Sequence, residues 1–405
     1  MKYKGALIGK NISYSYSKII HEYLGTSYDI ISINSINGFI SLIKDYDFIN
    51  VTSPFKTEVI KYLDDASMLV KNTNSCNLVV KKNGKLIGYN TDFYGFISMM
   101  RHFSLDLSNK NVLILGTGGA SKTIQKVFTL NNSNVILASR TGINNIYNYD
   151  ELNKHDLYFD YIVNATPIGN INHLSEKLLD LNKTKTSVFI DLNYNPYRSL
   201  MMIENELLGS KSINGLYMLI YQAVYAYNYL EPKCFLASKK IIKELYDLIY
   251  KPNIVTIGMM LSGKSTYSKM IYSKSYDNLY DIDEIIEEKY GPIDTIIKDK
   301  GLAYFRQIEK DEVLNLNNVK NSVISPGGGV ILDLDEVISL KQNGVLYFID
   351  TDFEEIKNRL RSVDRPLAKT DEELEKIYSE RIDKYHLYKD KTIKYINGNY
   401  EIDGE

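Results

Sequence analysis

Asn111-Val112-Leu113-Ile114-Leu115 runs directly into Gly116-Thr117-Gly118-Gly119-Ala120-Ser121. Val112 to Leu115 is a short unbroken apolar run, the pattern of a strand buried on both faces. The glycines that follow permit a tight turn and the close approach of a pyrophosphate, which then sits on the positive N-terminus of the next helix. A glycine turn with no ligand is the structural alternative. A helical pattern continues to about Leu130, and Asn134 to Ala138 gives a further strand. Tyr161-Ile162-Val163 and Val188-Phe189-Ile190 extend the series. Strand, glycine turn, helix and strand begin a doubly wound parallel sheet, so this part of the chain is α/β with a Rossmann-type topology. Gly116, Gly118, Gly119 and Ala120 are its expected cofactor contacts.

The end of the second strand bears on which dinucleotide is bound. An acidic residue there serves the ribose hydroxyls of NAD. This chain has Ser139-Arg140-Thr141 instead. Arg140, with Thr141 beside it, can pair with a 2′-phosphate, which favours NADP(H). An unliganded surface arginine is the other reading.

Toward the N-terminus, Tyr3–Ile8, Tyr28–Ile33 and Phe48–Val51 read as strands, and Ile19–Leu24 and Ile36–Ile43 as helices. Asn77 to Asn90 reads as a hairpin turning at Asn83-Gly84. One loop presents Lys56, in Asn50-Val51-Thr52-Ser53-Pro54-Phe55-Lys56, and the end of the hairpin presents Asp92. A lysine beside a carboxylate can pass a proton to a carbonyl oxygen as hydride arrives. Either residue alone is more often a solvated surface charge.

Toward the C-terminus, helical spacing over Tyr217–Tyr229 and Ala237–Tyr250 is broken by Lys251-Pro252-Asn253, where a domain boundary is expected. A new strand, Ile254–Ile257, then meets Gly258-Met259-Met260-Leu261-Ser262-Gly263-Lys264-Ser265-Thr266. This is a complete phosphate loop: backbone N–H groups cradle phosphates, Lys264 neutralises them, and the Ser265 hydroxyl serves Mg²⁺. Asp281 and Asp283 follow, two carboxylates read as pointing the same way from a strand end. One can support Mg²⁺ through water while the other faces an acceptor hydroxyl; alternatively the pair caps the next helix. Arg306 and Glu309 sit at i, i+3 of a helix, where a surface ion pair is the ordinary reading. Gly327-Gly328-Gly329 follows a strand, Arg365-Pro366-Leu367-Ala368 lies in a charged stretch, and Arg381-x-x-x-Tyr385 lies on a late helix.

These motifs occur in the order that two families share. Residues 1–248 resemble the shikimate dehydrogenases. Ser15-x-Ser17 resembles the serines that bind the substrate carboxylate, and Asn50-Val51-Thr52-x-Pro54-Phe55-Lys56 includes the position of the catalytic lysine. Asn77 and Asp92 match substrate-binding and catalytic positions, and Asn164-Ala165-Thr166-Pro167-Ile168-Gly169 matches the cofactor loop. Asp191-x-x-Tyr194-x-Pro196 and Gly215-Leu216-x-Met218-Leu219-x-x-Gln222 also match. The resemblance implies that Ser15, Ser17, Thr52, Asn77, Tyr194 and Gln222 bind substrate. It places Asn164, Thr166 and Gly215 with the cofactor and makes Lys56 and Asp92 catalytic. Lys18 stands where proline is usual, and Leu78 where threonine is.

Residues 252–395 resemble the shikimate kinases, whose phosphate loop, D-x-D, F-R-x-x-E, G-G-G, R-P-L and R-x-x-x-Y all occur in order. By that resemblance Gly258, Gly263, Lys264, Ser265 and Thr266 hold ATP, and Ser265 and Asp281 support Mg²⁺. Asp283 accepts the proton of the acceptor hydroxyl. Arg306 and Arg381, with Gly328 and Gly329, bind the shikimate carboxylate, Glu309 orients Arg306, and Arg365 is a lid arginine. Leu261 replaces the usual small residue in the loop.

The implied organisation is a substrate lobe at 1–100 completed by helices in 215–250, a dinucleotide lobe at 101–214, and a kinase domain at 251–405. The expected activity is NADPH-dependent reduction of 3-dehydroshikimate, then ATP-dependent phosphorylation of shikimate. The rivals are a catabolic quinate/shikimate dehydrogenase, a different small-molecule kinase, and a binding or regulatory protein that keeps the folds without catalysis.

Bulk properties fit this organisation. The chain has 405 residues, 44% of them hydrophobic and 24% charged, with a net charge of −2. That length suits more than one core, and the charge supplies no field for nucleic acid. The two cysteines, Cys76 and Cys234, form no C-x-x-C pair, and no His or Cys cluster has metal-ligand spacing. No apolar run is long enough to span a bilayer and no signal peptide is evident. A cytoplasmic enzyme of small molecules is expected, with no nucleic-acid or membrane partner; a homo-oligomer is compatible but not indicated.

Overall fold

The computed structural model describes residues 2–142, 146–231, 238–360, 370–396 and 399–402. The chain forms two compact units, Met1–Tyr250 and Lys251–Glu405.

The first unit contains two sheets. One comprises β1 (Tyr3–Gly9), β2 (Thr26–Ser32), β3 (Phe48–Val51), β4 (Asp65–Ala66), β5 (Leu78–Lys82) and β6 (Lys85–Tyr89), in the order β2-β1-β3-β5-β6-β4. β1 pairs in parallel with β2 and β3, whereas β5 runs antiparallel to both β3 and β6. The β5–β6 turn places Asn83 at φ 50° and Gly84 at φ 75°, the left-handed pair that a two-residue hairpin loop needs. Side chains alternate across β1: Ala6 and Ile8 enter one core while Leu7 enters another. The helix expected over Ile36–Ile43 is shorter, a single turn at Phe39–Leu42 followed by a 3-10 turn at Ile43–Asp45. Gly38 stands at its N-cap without a side-chain acceptor, so little beyond burial of Phe39 and Ile43 holds it.

The second sheet is parallel throughout: β7 (Asn111–Leu115), β8 (Asn134–Ser139), β9 (Tyr147–Asn148), β10 (Leu157–Asn164), β11 (Thr184–Asp191) and β12 (Lys211–Asn214). Its order, β12-β11-β10-β7-β8-β9, reverses direction between β7 and β10. Ligands of open α/β sheets bind outside the strand ends at such a switch point. Val112 and Ile114 pack on one face with Ile124 and Phe128, and Leu113 and Leu115 on the other with Met201 and Met202. This two-sided burial is why β7 reads as continuous apolar sequence. The helix Leu216–Leu230 returns to the first lobe, where Leu216, Ile220 and Val224 pack with Ile20 and Leu24. Leu245 and Ile249 of the helix Lys239–Ile249 join the same cluster.

The second unit holds one sheet of β13 (Asn253–Ile257), β14 (Asn278–Asp281), β15 (Ser322–Ser325), β16 (Gly344–Thr351), β17 (Lys391–Ile396) and β18 (Asn399–Ile402). The order is β14-β15-β13-β16-β17-β18, with β18 antiparallel at the edge. Val255, Ile257, Ile324, Leu346 and Phe348 form its core with the helices above them. Among the described residues, no helix is long and apolar enough to cross a membrane.

Candidate active sites

In the first unit, the turn after β7 opens the helix Gly119–Leu130. Gly116 has φ +105°, a conformation that favours glycine, and a Cβ there would lie 3.0 Å from Thr166 Cγ2. Gly118 has open space around its missing Cβ, whereas a Cβ on Gly119 would lie 2.7 Å from Ser75 Oγ and 3.0 Å from Lys56 Cβ. The bare loop therefore does two things. Gly118 leaves a cradle at a helix N-terminus, and Gly119 lets the lysine-bearing loop come close.

Lys56 Nζ lies 2.7 Å from Asp92 Oδ2, with only 12% and 8% of the two side chains exposed. Asp92 begins the helix Asp92–His102, where the helix dipole favours a carboxylate. Asn77 Nδ2 donates to Asp92 Oδ1 at 2.8 Å and to Thr91 Oγ1 at 2.9 Å, and its Oδ1 accepts from the Thr91 N–H at 2.7 Å. Gln222 Nε2 donates to the Leu219 carbonyl, and its Oε1 lies 3.3 Å from both Asn77 Nδ2 and Thr91 Oγ1. Ser15 and Ser17 are hydrogen-bonded at 3.0 Å, and the Tyr194 hydroxyl donates to Ser15 Oγ at 3.2 Å.

These groups face one cavity of about 770 Å³. Ser15, Ser17, Thr52, Lys56, Asn77, Asp92 and Gln222 line it together with Ala120, Arg140, Thr166, Tyr194 and Gly215. Residues 207 positions apart in sequence thus meet on one wall (Gln222 minus Ser15). Gly116, Gly118, Gly119 and Thr141 are not on the wall, and Asn164 is fully buried beneath it. Asn164 Oδ1 instead accepts from the Thr166 hydroxyl at 2.7 Å and its Nδ2 donates to Asp191 Oδ1 at 3.1 Å, which shapes the loop from below. Asp191 also accepts from Ser199 Oγ at 2.6 Å, and burial pushes its carboxyl up to about 6 against those hydrogen bonds. Lys18, the residue in place of proline, donates to the Tyr28 carbonyl at 3.0 Å. Leu78 is fully buried in the core rather than on the cavity.

In the second unit the phosphate loop joins β13 to the helix Lys264–Ser275. Positive φ occurs at Gly258, Leu261 and Gly263, with Leu261 at 63°. A left-handed leucine costs about 1–2 kcal/mol, and its neighbourhood supplies tethers. Arg359 Nη1 donates to the Leu261 carbonyl at 2.8 Å, Thr351 to that of Ser262 at 2.7 Å, and Tyr400 to that of Gly263 at 3.1 Å. Tyr385 reaches the Gly258 carbonyl at 2.8 Å. Tying back these carbonyls lets a loop of this kind turn N–H groups toward an anion, the Ser262 N–H excepted, which donates to the Met259 carbonyl at 3.2 Å. Lys264, Ser265, Thr266, Asp283, Gly328 and Arg359 line a cavity of about 420 Å³ beside it.

Asp281 and Asp283 do not project together from a strand end. Asp281 ends β14 and is the N-cap of the helix Ile282–Tyr290, so Asp283 is already helical and the two-residue alternation of a strand no longer applies. The capping alternative therefore holds for Asp281, whose Oδ1 lies 3.5 Å from the Glu284 N–H. Its Oδ2 accepts from Ser265 Oγ at 2.9 Å. Asp283 faces the cavity.

Arg306 and Glu309 are also not an ordinary surface pair. They are ion-paired, and Glu309 is 0% exposed. Burial raises the Glu309 carboxyl against the pull of Arg306. A Cβ on Gly327 would collide with Glu309 Oε1, and one on Gly329 with the Arg306 guanidinium. The glycine run is thus a slot for this pair. Arg381 Nη1 and the Tyr385 hydroxyl both donate to the Gly328 carbonyl, at 3.0 and 2.6 Å. Arg306, Gly329 and Arg381 lie off the wall of the phosphate-loop cavity, on the side of Gly328. Arg365 falls outside the described residues. Sequence reading missed Arg359, Tyr395 and Tyr400, which also line this cavity; no motif carried a signal for them.

Fold and site together define a dinucleotide-type oxidoreductase unit followed by a phosphate-loop kinase unit. The pattern of the shikimate dehydrogenase substrate binding domain matches residues 7–79, and that of shikimate kinase matches residues 260–402. A shikimate dehydrogenase (NADP(+)) of Clostridium botulinum (strain Loch Maree / Type A3) is 36% identical over 245 residues, covering 55% of this chain and 95% of that one. Among solved structures, shikimate dehydrogenase 1 from Peptoclostridium difficile is similar with a TM-score of 0.56 and 28% identity, over 61% of this chain and 97% of that chain. A chorismate mutase/shikimate 5-dehydrogenase fusion protein from Clostridium acetobutylicum gives a TM-score of 0.55 and 26% identity, over 62% and 97%. The chain belongs to the shikimate dehydrogenase family and carries a shikimate kinase domain after it. It is a two-activity enzyme of the shikimate pathway.

Proposed function

We propose that the first unit reduces 3-dehydroshikimate to shikimate with NADPH and that the second phosphorylates shikimate at its 3-hydroxyl with Mg-ATP. The observation that carries the first half is the largely buried Lys56–Asp92 pair, held by Asn77 on the same cavity as Ala120 and Arg140. Ser15 and Ser17, steadied by Tyr194, take the substrate carboxylate, and Thr52, Asn77 and Gln222 take its hydroxyls. NADPH, when bound, supplies the hydride; the Gly118 cradle fits its pyrophosphate and Arg140 its 2′-phosphate. Lys56 donates a proton to the carbonyl oxygen as negative charge develops there, and Asp92, 2.7 Å away, holds its ammonium in place.

In the second unit, Lys264 and the loop N–H groups neutralise the phosphates. Asp283 accepts the proton of the acceptor hydroxyl, while Arg306 and Arg381 face its carboxylate. Among the described residues no group of three or more His, Cys, Asp or Glu could hold a metal. Ser265 and Asp281 offer hard oxygen donors, so Mg²⁺ would draw its other ligands from phosphates and water. Residues 1–100 with the returning helices, 101–214 and 251–405 are the proposed substrate lobe, dinucleotide lobe and kinase domain. The proposed setting is the cytoplasm.

Mass-spectrometric product analysis tests this. With 3-dehydroshikimate, NADPH and Mg-ATP together, shikimate 3-phosphate is expected, and omission of either nucleotide should abolish it. Shikimate alone would refute the kinase half, and neither product from folded protein would refute both.

A further inference from the structure

One tyrosine hydroxyl joins two loops of the kinase unit. Tyr385, on the helix Asp371–Tyr388, is 0% exposed, and its ring stacks on Phe348 of β16 with centroids 5.3 Å apart. Its hydroxyl lies 2.8 Å from the carbonyl oxygen of Gly258, the first residue of the phosphate loop, and 2.6 Å from that of Gly328. A phenol carries a single hydrogen, so the two carbonyls share one donor. Each of them also has a second donor, and both of those are cations. Lys264 Nζ is 3.0 Å from the Gly258 oxygen, and Arg381 Nη1 is 3.0 Å from the Gly328 oxygen. The loops themselves touch, since a Cβ on Gly328 would lie 3.2 Å from the Met260 nitrogen and 3.3 Å from the Gly258 oxygen.

Lys264 is held on the loop's own carbonyls, that of Gly258 at 3.0 Å and that of Met259 at 2.9 Å. An ammonium has three hydrogens. Serving both the β- and the γ-phosphate takes two of them, so at least one carbonyl bond must be given up. A buried carbonyl left without a donor costs more than the bond it loses, and Gly258 is buried. The carbonyl released at least cost is therefore the one with the better remaining donor. For Met259 that donor is the Ser262 N–H at 3.2 Å, and for Gly258 it is the Tyr385 hydroxyl at 2.8 Å.

We propose that Tyr385 is a positioning residue for the nucleotide phosphates: its hydrogen passes wholly to the Gly258 carbonyl as Lys264 turns to the phosphates, while Arg381 alone keeps the Gly328 carbonyl paired. The inference rests on the reading of this unit as an ATP-dependent kinase. Each carbonyl then keeps one donor, and both cations stay in use. Lys264 serves the phosphates, and Arg381 holds Gly328 with Nη1 while its Nε, buried with no hydrogen-bond partner, is left for an acceptor. Burial pushes the Tyr385 hydroxyl up, so it remains a donor throughout.

The test is calorimetric binding of AMP-PNP with Mg²⁺ to the full chain, in wild type, Tyr385→Phe, Lys264→Met and the double variant. Tyr385→Phe keeps the ring and its stack on Phe348 and removes only the hydroxyl. In the wild-type background it should weaken AMP-PNP about tenfold, the cost of one buried carbonyl left unpaired. In the Lys264→Met background the Gly258 carbonyl has no lysine to lose, and Tyr385→Phe should change AMP-PNP binding by less than about twofold. Shikimate binding without nucleotide should also change by less than about twofold, because Arg381 still serves Gly328. Equal losses in both backgrounds, or an equal loss of shikimate binding, would make the hydroxyl merely structural and overturn the proposal, as would no loss in the wild-type background. Should Tyr385→Phe fail to fold, or the Lys264→Met proteins bind too weakly to measure, fluorotyrosine at position 385 decides. Its fluorine resonance should move when AMP-PNP binds and stay in place when AMP binds, which lacks the β- and γ-phosphates; equal movement, or none, overturns the proposal. If wild type binds no AMP-PNP, the nucleotide-site reading itself falls and the proposal with it.

Discussion

Replacing Lys56 by Ala removes the group placed to protonate the substrate oxygen. Its ammonium is 2.7 Å from Asp92, and both side chains are largely buried. Loss of a positioned general acid is worth about 10²–10⁴ in rate, or roughly 3–5 kcal/mol of barrier. A second cost falls on stability, because Asp92 loses its counter-ion. Breaking a buried pair costs about 3–5 kcal/mol. Here the lower end applies, since Asp92 retains the 2.8 Å bond from Asn77 and its place at a helix N-terminus. Lys56→Ala should therefore lower dehydrogenase kcat at least about 100-fold and lower the melting point of the first unit without unfolding it at 25 °C. NADPH oxidation with 3-dehydroshikimate reads the first effect, and ATP-dependent phosphorylation in the same preparation is the internal control. A variant that keeps more than about a fifth of wild-type dehydrogenase turnover would refute the assignment. Loss of both activities in folded protein would refute the independence of the two sites.

Gly327→Ala should force Glu309 off Arg306 and raise the shikimate KM of the kinase about tenfold or more, with dehydrogenation unaffected; steady-state kinetics of both reactions check it. Arg140→Ala should weaken NADPH by about 1.5–3 kcal/mol, the range of a hydrogen bond to a charged group, and leave NADH use unchanged; equal effects on the two cofactors would count against a 2′-phosphate contact. Asp191 is held neutral more than in the unfolded chain, its carboxyl raised from 3.8 to about 6 by burial. Its contribution is therefore full below the unfolded value and is lost as pH rises through about 6, by roughly 3 kcal/mol in all. Asp191→Asn should flatten that part of the first unit's stability curve, measured by chemical denaturation between pH about 4 and 7; an unchanged slope would exclude Asp191 as its source.

Local sequence determined much of this protein. Val112–Leu115 and the glycines after it announce a two-sided strand and a ligand turn because burial and φ > 0 are written into residue type. Asn83-Gly84 announces its hairpin for the same reason. Gly258 to Thr266 announces a phosphate loop, because the chemistry of holding phosphate lies within one turn and one helix start. What the sequence left undecided depends on atoms distant along the chain. Whether Asp281 and Asp283 act as a pair was settled by where the helix begins, and Asp281 became its cap. Whether Arg306–Glu309 was a surface pair was settled by Gly327 and Gly329, which make a slot that buries Glu309. Arg359 and Tyr400 reach the loop from other elements entirely. Residue type and spacing fix local backbone geometry. Burial, and with it charge state, belongs to neighbours that only the tertiary fold brings together.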